Sequence, residues 1–190
     1  MTTPAPVSRF GSVELEDLPP DLHERLAPIV ERSGFVPNVF RGMGRRPGEL
    51  RAFLDYHDAL MDSDDGLSKA ERELIVVATS GANHCTYCVV AHGAILRVRS
   101  KDPELADRVA SNPYGVALSA RQRAIVDLAL LVATDSASLS DEDLADARAA
   151  GLSDDEIWDV GAITSLFALS NRMAHLMALQ PNAEFFTIGR

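Results

Sequence analysis

The sequence predicts an all-α fold, and three observations carry that expectation. Apolar residues recur at helical spacing almost throughout, and no period-two run is flanked by hairpin turns. Ser68-Lys-Ala-Glu71 and Ser119-Ala-Arg-Gln122 are capping boxes, in which the serine and the Glu or Gln side chain satisfy each other's free backbone N–H groups. Glycines and prolines fall where such helices stop.

Taken in order, residues 1–20 read as an extended arm, with Pro4, Pro6, Pro19 and Pro20 and no apolar periodicity. Residues 21–190 read as a single helical domain, since 190 residues suit one domain with its own core. Asp21 is expected to cap a short helix carrying Leu22, Leu26, Ile29 and Val30, ending near Gly34 with Pro28 inside it. Pro47 suits the first turn of the next helix, whose Leu50, Phe53, Leu54, His57, Leu60 and Met61 share a face. Ser68 opens a strongly apolar helix ending around Gly81, and Asn83 is expected to cap another running to about Val98. Together they form a hairpin over about residues 68–98. Asp102-Pro103 starts a short helix that fades at Asn112-Pro113, and Ser119 opens one to about Thr134. Ser140 begins a short amphipathic helix ending at Gly151, and Ser153 begins the last long one, to about Leu179. Leu118-Ser119 repeats Leu67-Ser68, with Arg123 matching Arg72, Ile125 matching Leu74 and Leu128 matching Val77. This echo predicts two helical half-repeats, with Glu73 in the first where the second has Ala124.

The formal net charge of −10 argues against nucleic acid and against an anionic membrane surface as partners. No apolar run is long enough to span a bilayer, and the N-terminus shows no basic-then-apolar leader, so a cytoplasmic location is expected. The only two cysteines form Cys85-Thr86-Tyr87-Cys88. In a reducing compartment such a pair is reactive or metal-binding rather than a structural staple.

Cys85, Cys88 and His92 are spaced to lie on one helical face. Only a thiolate attacks an electrophile, and two effects here favour one. A helix N-terminus stabilises negative charge at Cys85, while His92 can take the proton of Cys88. The two effects favour different sulfurs. Glu73 precedes them on the other arm of the hairpin, placed to orient His92 as the third member of a nucleophile–base–orienter set. A neighbouring thiol condenses with a sulfenic acid to give a disulfide, which an external dithiol must reduce.

The spacing Glu-x(11)-Cys-x-x-Cys-x(3)-His, met by Glu73, Cys85, Cys88 and His92, resembles the motif of the alkylhydroperoxidase D (AhpD)-like proteins of the carboxymuconolactone decarboxylase superfamily. The segment Gly34-Phe-Val-Pro-Asn38 and the helical layout from about 20 to 180 look most like its peroxidase-related branch. The resemblance implies an AhpD-like helical bundle and a homo-oligomer, trimer or hexamer. It also implies reduction of organic hydroperoxides or hydrogen peroxide. It further implies that Cys88 is oxidised first, that Cys85 resolves, and that Glu73 serves a proton relay with His92. Electrons would come from a lipoyl- or thioredoxin-like dithiol protein, with no metal or haem cofactor. The chain departs from the family pattern in one place: Tyr87 stands where a histidine precedes the second cysteine, and His84 precedes the first instead.

Other readings of the same residues set the alternatives. A non-peroxidatic thiol–disulfide oxidoreductase or redox sensor would use the same pair without peroxide turnover. The decarboxylases of the superfamily lack the cysteine pair. His84, Cys85, Cys88 and His92 are possible zinc ligands, but adjacent His84 and Cys85 diverge by about 100° on a helix, unlike the separated pairs of zinc sites. Tyr87 reads as packing or lining an access path, and His57 and His84 as possible pocket residues. Asn171, Arg172 and His175 read as a subunit contact or a capping network.

Overall fold

The computed structural model describes residues 6–190; the remainder of the expected arm, residues 1–5, lies outside the described residues. Among the described residues every regular element is helical. The helices are α1 (Pro20–Ser33), α2 (Asn38–Met43), α3 (Pro47–Met61), α4 (Lys69–Ala82), α5 (Thr86–Ser100), α6 (Leu105–Ser111), α7 (Ala120–Asp135), α8 (Asp141–Ala149) and α9 (Asp154–Met177). Among the described residues no helix is long and apolar enough to cross a membrane.

The helix α4 is the axle of the molecule. Every residue from Arg72 to Ser80 is buried, and α5, α6, α7 and α9 all pack around it. Leu74–Ala78 is apolar on every side, and such a stretch can only sit inside. Ile75 and Val76 join Ile125, Leu128, Ile163 and Phe167 in one core, while Leu74 and Val77 join Leu96, Val109 and Val126 in another. Gly81 lets the last turn of α4 approach α6 closely, since a Cβ there would lie 2.9 Å from the Ala110 carbonyl oxygen.

The capping boxes form as the sequence predicts, at Ser68 and Ser119, and Ser140 and Ser153 complete two more. Both matched arginines staple the loop before their helix. Arg72 donates to the carbonyl of Asp65 and Arg123 to that of Val116, each seven residues back. Arg121 then joins the two boxes that open α4 and α9, bonding Glu71 and Glu156.

Three expectations change. Asp21 is not the cap of α1: Pro19 holds that position and Pro20 opens the helix, because a proline already lacks the donor that a first turn leaves free. The short helix α2 was not foreseen. Asn83 does not cap α5 but closes α4, and α5 begins at Thr86 with Cys85 as its N-cap. Val7–Arg9 of the arm bond to the end of α9 and the segment after it: Gln180 N–H donates to Val7 O at 3.1 Å and Arg9 N–H to Met177 O at 2.8 Å.

Candidate active site

The turn between α4 and α5 builds the site. Its backbone closes tightly: the N–H groups of Asn83, His84 and Cys85 donate to the carbonyls of Thr79, Gly81 and Ser80 at 2.9–3.0 Å. His84 makes the reversal with φ of 55°, a left-handed conformation that histidine tolerates better than most residues. Cys85 follows in extended geometry as the N-cap, which puts Cys88 at the third helical position. The two sulfurs thus occupy the same pair of positions that Ser68 and Glu71 hold at the start of α4.

Both thiols are free, and both are buried, at 1 % and 2 % exposure. They are not equivalent. The Cys85 thiol is held down to about 6 from an ordinary 9.0, first by the hydrogen bond it receives from the Cys88 thiol. Burial opposes the drop, while the Cys88 backbone N–H, the positive charge of His175 and the Asn171 amide reinforce it. Cys88 is pushed in the other direction, because it donates to Cys85, is buried and faces the Cys85 charge. The two thiols are thus pushed in opposite directions, Cys85 toward the thiolate and Cys88 toward the thiol.

The long helix α9 supplies a wall of polar groups over these sulfurs that the sequence reading set aside. Asn171 is fully buried, accepts from Asn83 Nδ2 and donates to Ser80 Oγ, both at 3.0 Å, and lies against both cysteines. The Ser170 hydroxyl is 3.9 Å from Cys88 Sγ. At the end of the helix His175 Nε2 is 3.3 Å from the carbonyl oxygen of His84. The signal for these residues was present, as Ser170, Asn171 and His175 are polar side chains clustered on a largely apolar helix.

The hairpin brings Glu73 and His92 together as the spacing predicts. His92 Nδ1 lies 2.9 Å from Glu73 Oε2, so Nδ1–H donates to the carboxylate and Nε2 is left as the basic nitrogen. Phe167 packs edge-on against the ring, with centroids 4.7 Å apart. Among the described residues no hydrogen bond joins His92 to either sulfur.

The remaining predicted residues have other places. The Tyr87 hydroxyl accepts the Val39 N–H at 3.0 Å, and burial pushes its ionisation far up. It thereby pins the first turn of α2, just past the Gly34–Asn38 segment, to the cysteine helix. His57 packs against Phe167, with centroids 6.2 Å apart, and its Nδ1 lies 3.0 Å from Asp58 Oδ1. His84 contributes its backbone, while its side chain is exposed. No group of three or more His, Cys, Asp and Glu side chains among the described residues is arranged to hold a metal ion.

Comparison with known proteins agrees with this geometry. Residues 47–113 match the carboxymuconolactone decarboxylase family. A solved structure from Ralstonia eutropha JMP134, described as an alkylhydroperoxidase AhpD core and peroxidase-related protein, is 50% identical, with 98% of each chain covered and a TM-score of 0.96. A peroxidase-related protein from Silicibacter sp. TM1040 is 35% identical over 100% of both chains, with a TM-score of 0.90. The debrominase Bmp8, 20% identical over 94% of this chain and 93% of its own, has a TM-score of 0.78 and shares the fold. No curated protein matches. The chain belongs to the AhpD-like, peroxidase-related branch of the carboxymuconolactone decarboxylase superfamily.

Proposed function

We propose that the protein is a thiol-dependent peroxidase that reduces alkyl hydroperoxides or hydrogen peroxide through a Cys85–Cys88 dithiol/disulfide cycle. The observation that carries this reading is the pair of free, buried thiols at the start of α5, on the same hairpin as the hydrogen-bonded Glu73–His92 pair. One thiolate attacks the peroxide, the O–O bond breaks, and the sulfur becomes a sulfenic acid while the alcohol or water leaves. The second thiol displaces the hydroxyl, water departs and a disulfide remains. His92, oriented by Glu73, is the base for this proton traffic.

A lipoyl- or thioredoxin-like protein supplies the two electrons that reopen the disulfide, and the cycle suits a reducing cytoplasm. Trp158, Leu169 and Leu176 are exposed along one face of α9 and are assigned to contacts between copies in a trimer or hexamer. Light scattering of the purified protein checks the assembly.

The functional test is peroxide consumption with several dithiol donors. The wild type turns over, and Cys85→Ser and Cys88→Ser each abolish steady turnover. Variants that match the wild type contradict the peroxidase reading. Disulfide formation without peroxide turnover, together with a partner trapped as a mixed disulfide, would identify a thiol–disulfide oxidoreductase instead.

A further inference from the structure

We propose that Asn171 of α9 sets the redox poise of the Cys85–Cys88 pair, by giving one amide hydrogen to the sulfurs and so favouring the dithiol over the disulfide. The inference deepens the proposed function and rests on its dithiol/disulfide cycle, not on the identity of the oxidant.

The bonds of this amide can be counted. Asn171 is fully buried on a helix whose other inward side chains are largely apolar. Taking an amide out of water is costly unless its groups find partners. Its Oδ1 accepts from Asn83 Nδ2 at 3.0 Å, which sets which end of the amide donates. One Nδ2 hydrogen goes to Ser80 Oγ, also at 3.0 Å. Among the described residues no oxygen accepts the other, and the amide lies against the sulfurs of Cys85 and Cys88.

The same bonds hold the donor in place. Ser80 and Asn83 are the two sides of the turn before the cysteines. The Ser80 carbonyl accepts the Cys85 N–H at 2.9 Å, and the Asn83 N–H bonds back to the Thr79 carbonyl at 3.0 Å. One turn further along α9, His175 Nε2 lies 3.3 Å from the His84 carbonyl oxygen, so the helix is docked along the turn. Asn171 is thus fixed by the residues that fix Cys85. The Ser170 hydroxyl, 3.9 Å from Cys88 Sγ, belongs to the same polar lining.

A donor aimed at these sulfurs does not serve the two redox states equally. A thiolate is a strong acceptor, while the sulfurs of a disulfide carry no charge to stabilise. The amide favours the anion on either cysteine, so its effect does not depend on which sulfur holds the charge. Stabilising the reduced form makes a dithiol pair the stronger oxidant. In the cycle this serves the return step. When an external dithiol attacks the disulfide, the S–S bond breaks, one cysteine sulfur leaves as a thiolate, and the amide is already in place to receive it.

The test equilibrates the protein with graded mixtures of oxidised and reduced glutathione at neutral pH and counts free thiols after an acid quench. Oxidised glutathione takes two electrons and the two thiol protons, giving two reduced glutathiones and the Cys85–Cys88 bond. Asn171→Leu removes the donor at similar volume and shifts the equilibrium about tenfold toward the protein disulfide, or about 30 mV. Asn171→Asp keeps the acceptor for Asn83, places an oxygen where the donor was, and shifts it the same way. Ser80→Ala opens the same network but leaves the amide hydrogen. Its melting temperature falls while its equilibrium moves by less than about twofold. Asn171 variants that match the wild type overturn the proposal. So does a Ser80→Ala shift as large as that of Asn171→Leu, which would make the turn alone responsible. A wild type that forms no intramolecular disulfide overturns the proposal and the dithiol cycle together. Equilibria that separate as expected, without peroxide turnover, count against peroxide as substrate and leave Asn171 as the donor.

Discussion

The opening turns of α4 and α7 are built alike and do different work. Each begins with a serine capping box, and each carries an arginine four residues on that reaches back to the preceding loop. They diverge at the next position. Glu73 holds His92 in the first, while the second has Ala124, packed against an apolar core. The comparison separates scaffold from chemistry. The shared elements set where two helices start, and a single carboxylate and the turn after α4 turn one of them into a site.

The arginines give the largest contrast. Arg72 is fully buried and donates to the carbonyls of Leu60, Asp65 and Leu67 and to the Asp159 carboxylate. Arg72→Met leaves these acceptors unpaired inside the protein and should cost about 3–5 kcal/mol in urea unfolding. Arg123 is half-buried and bonds the Pro113 and Val116 carbonyls, so Arg123→Met should cost about 1 kcal/mol. Equal losses would break the contrast.

Next comes the position where the halves diverge. Glu73→Gln keeps an acceptor for His92 Nδ1–H but removes the negative charge from the pair. Peroxide turnover should fall about 100-fold with little change in melting temperature. A variant with wild-type turnover would remove Glu73 from the relay. The smallest effect is the shared one. Ser68→Ala and Ser119→Ala should each cost about 1 kcal/mol in the same unfolding assay, because each serine serves the same N-cap bond. Markedly unequal costs would show that the two openings are alike in outline only.

How much of this was legible in the sequence follows from where each signal lies. The capping serines at 68 and 119 and Pro47 act through their own backbone neighbours, so local spacing placed α3, α4 and α7 well. The helix α2 has no such signal. It is held by partners far along the chain: the Asn38 N–H donates to Asn182 Oδ1 and the Val39 N–H to the Tyr87 hydroxyl. Asn83 was misread because asparagine suits either end of a helix, and only the left-handed turn at His84 decides between them. The pairing of Glu73 with His92 was readable because one short hairpin sets both positions. Asn171 and His175 stood out as polar residues on a largely apolar helix, but their meeting with the cysteine turn was not readable, since it depends on the packing of α9 across α4 and α5.

The central claim is that this dithiol is the peroxide-reducing centre. A single-turnover reaction of the reduced protein with one equivalent of an alkyl hydroperoxide per chain, without any donor, tests it most directly. Each chain should convert one peroxide to its alcohol, lose both free thiols and gain an intramolecular Cys85–Cys88 disulfide. Thiols that persist while peroxide is left untouched, or peroxide consumed equally by a Cys85→Ser/Cys88→Ser double variant, would contradict it.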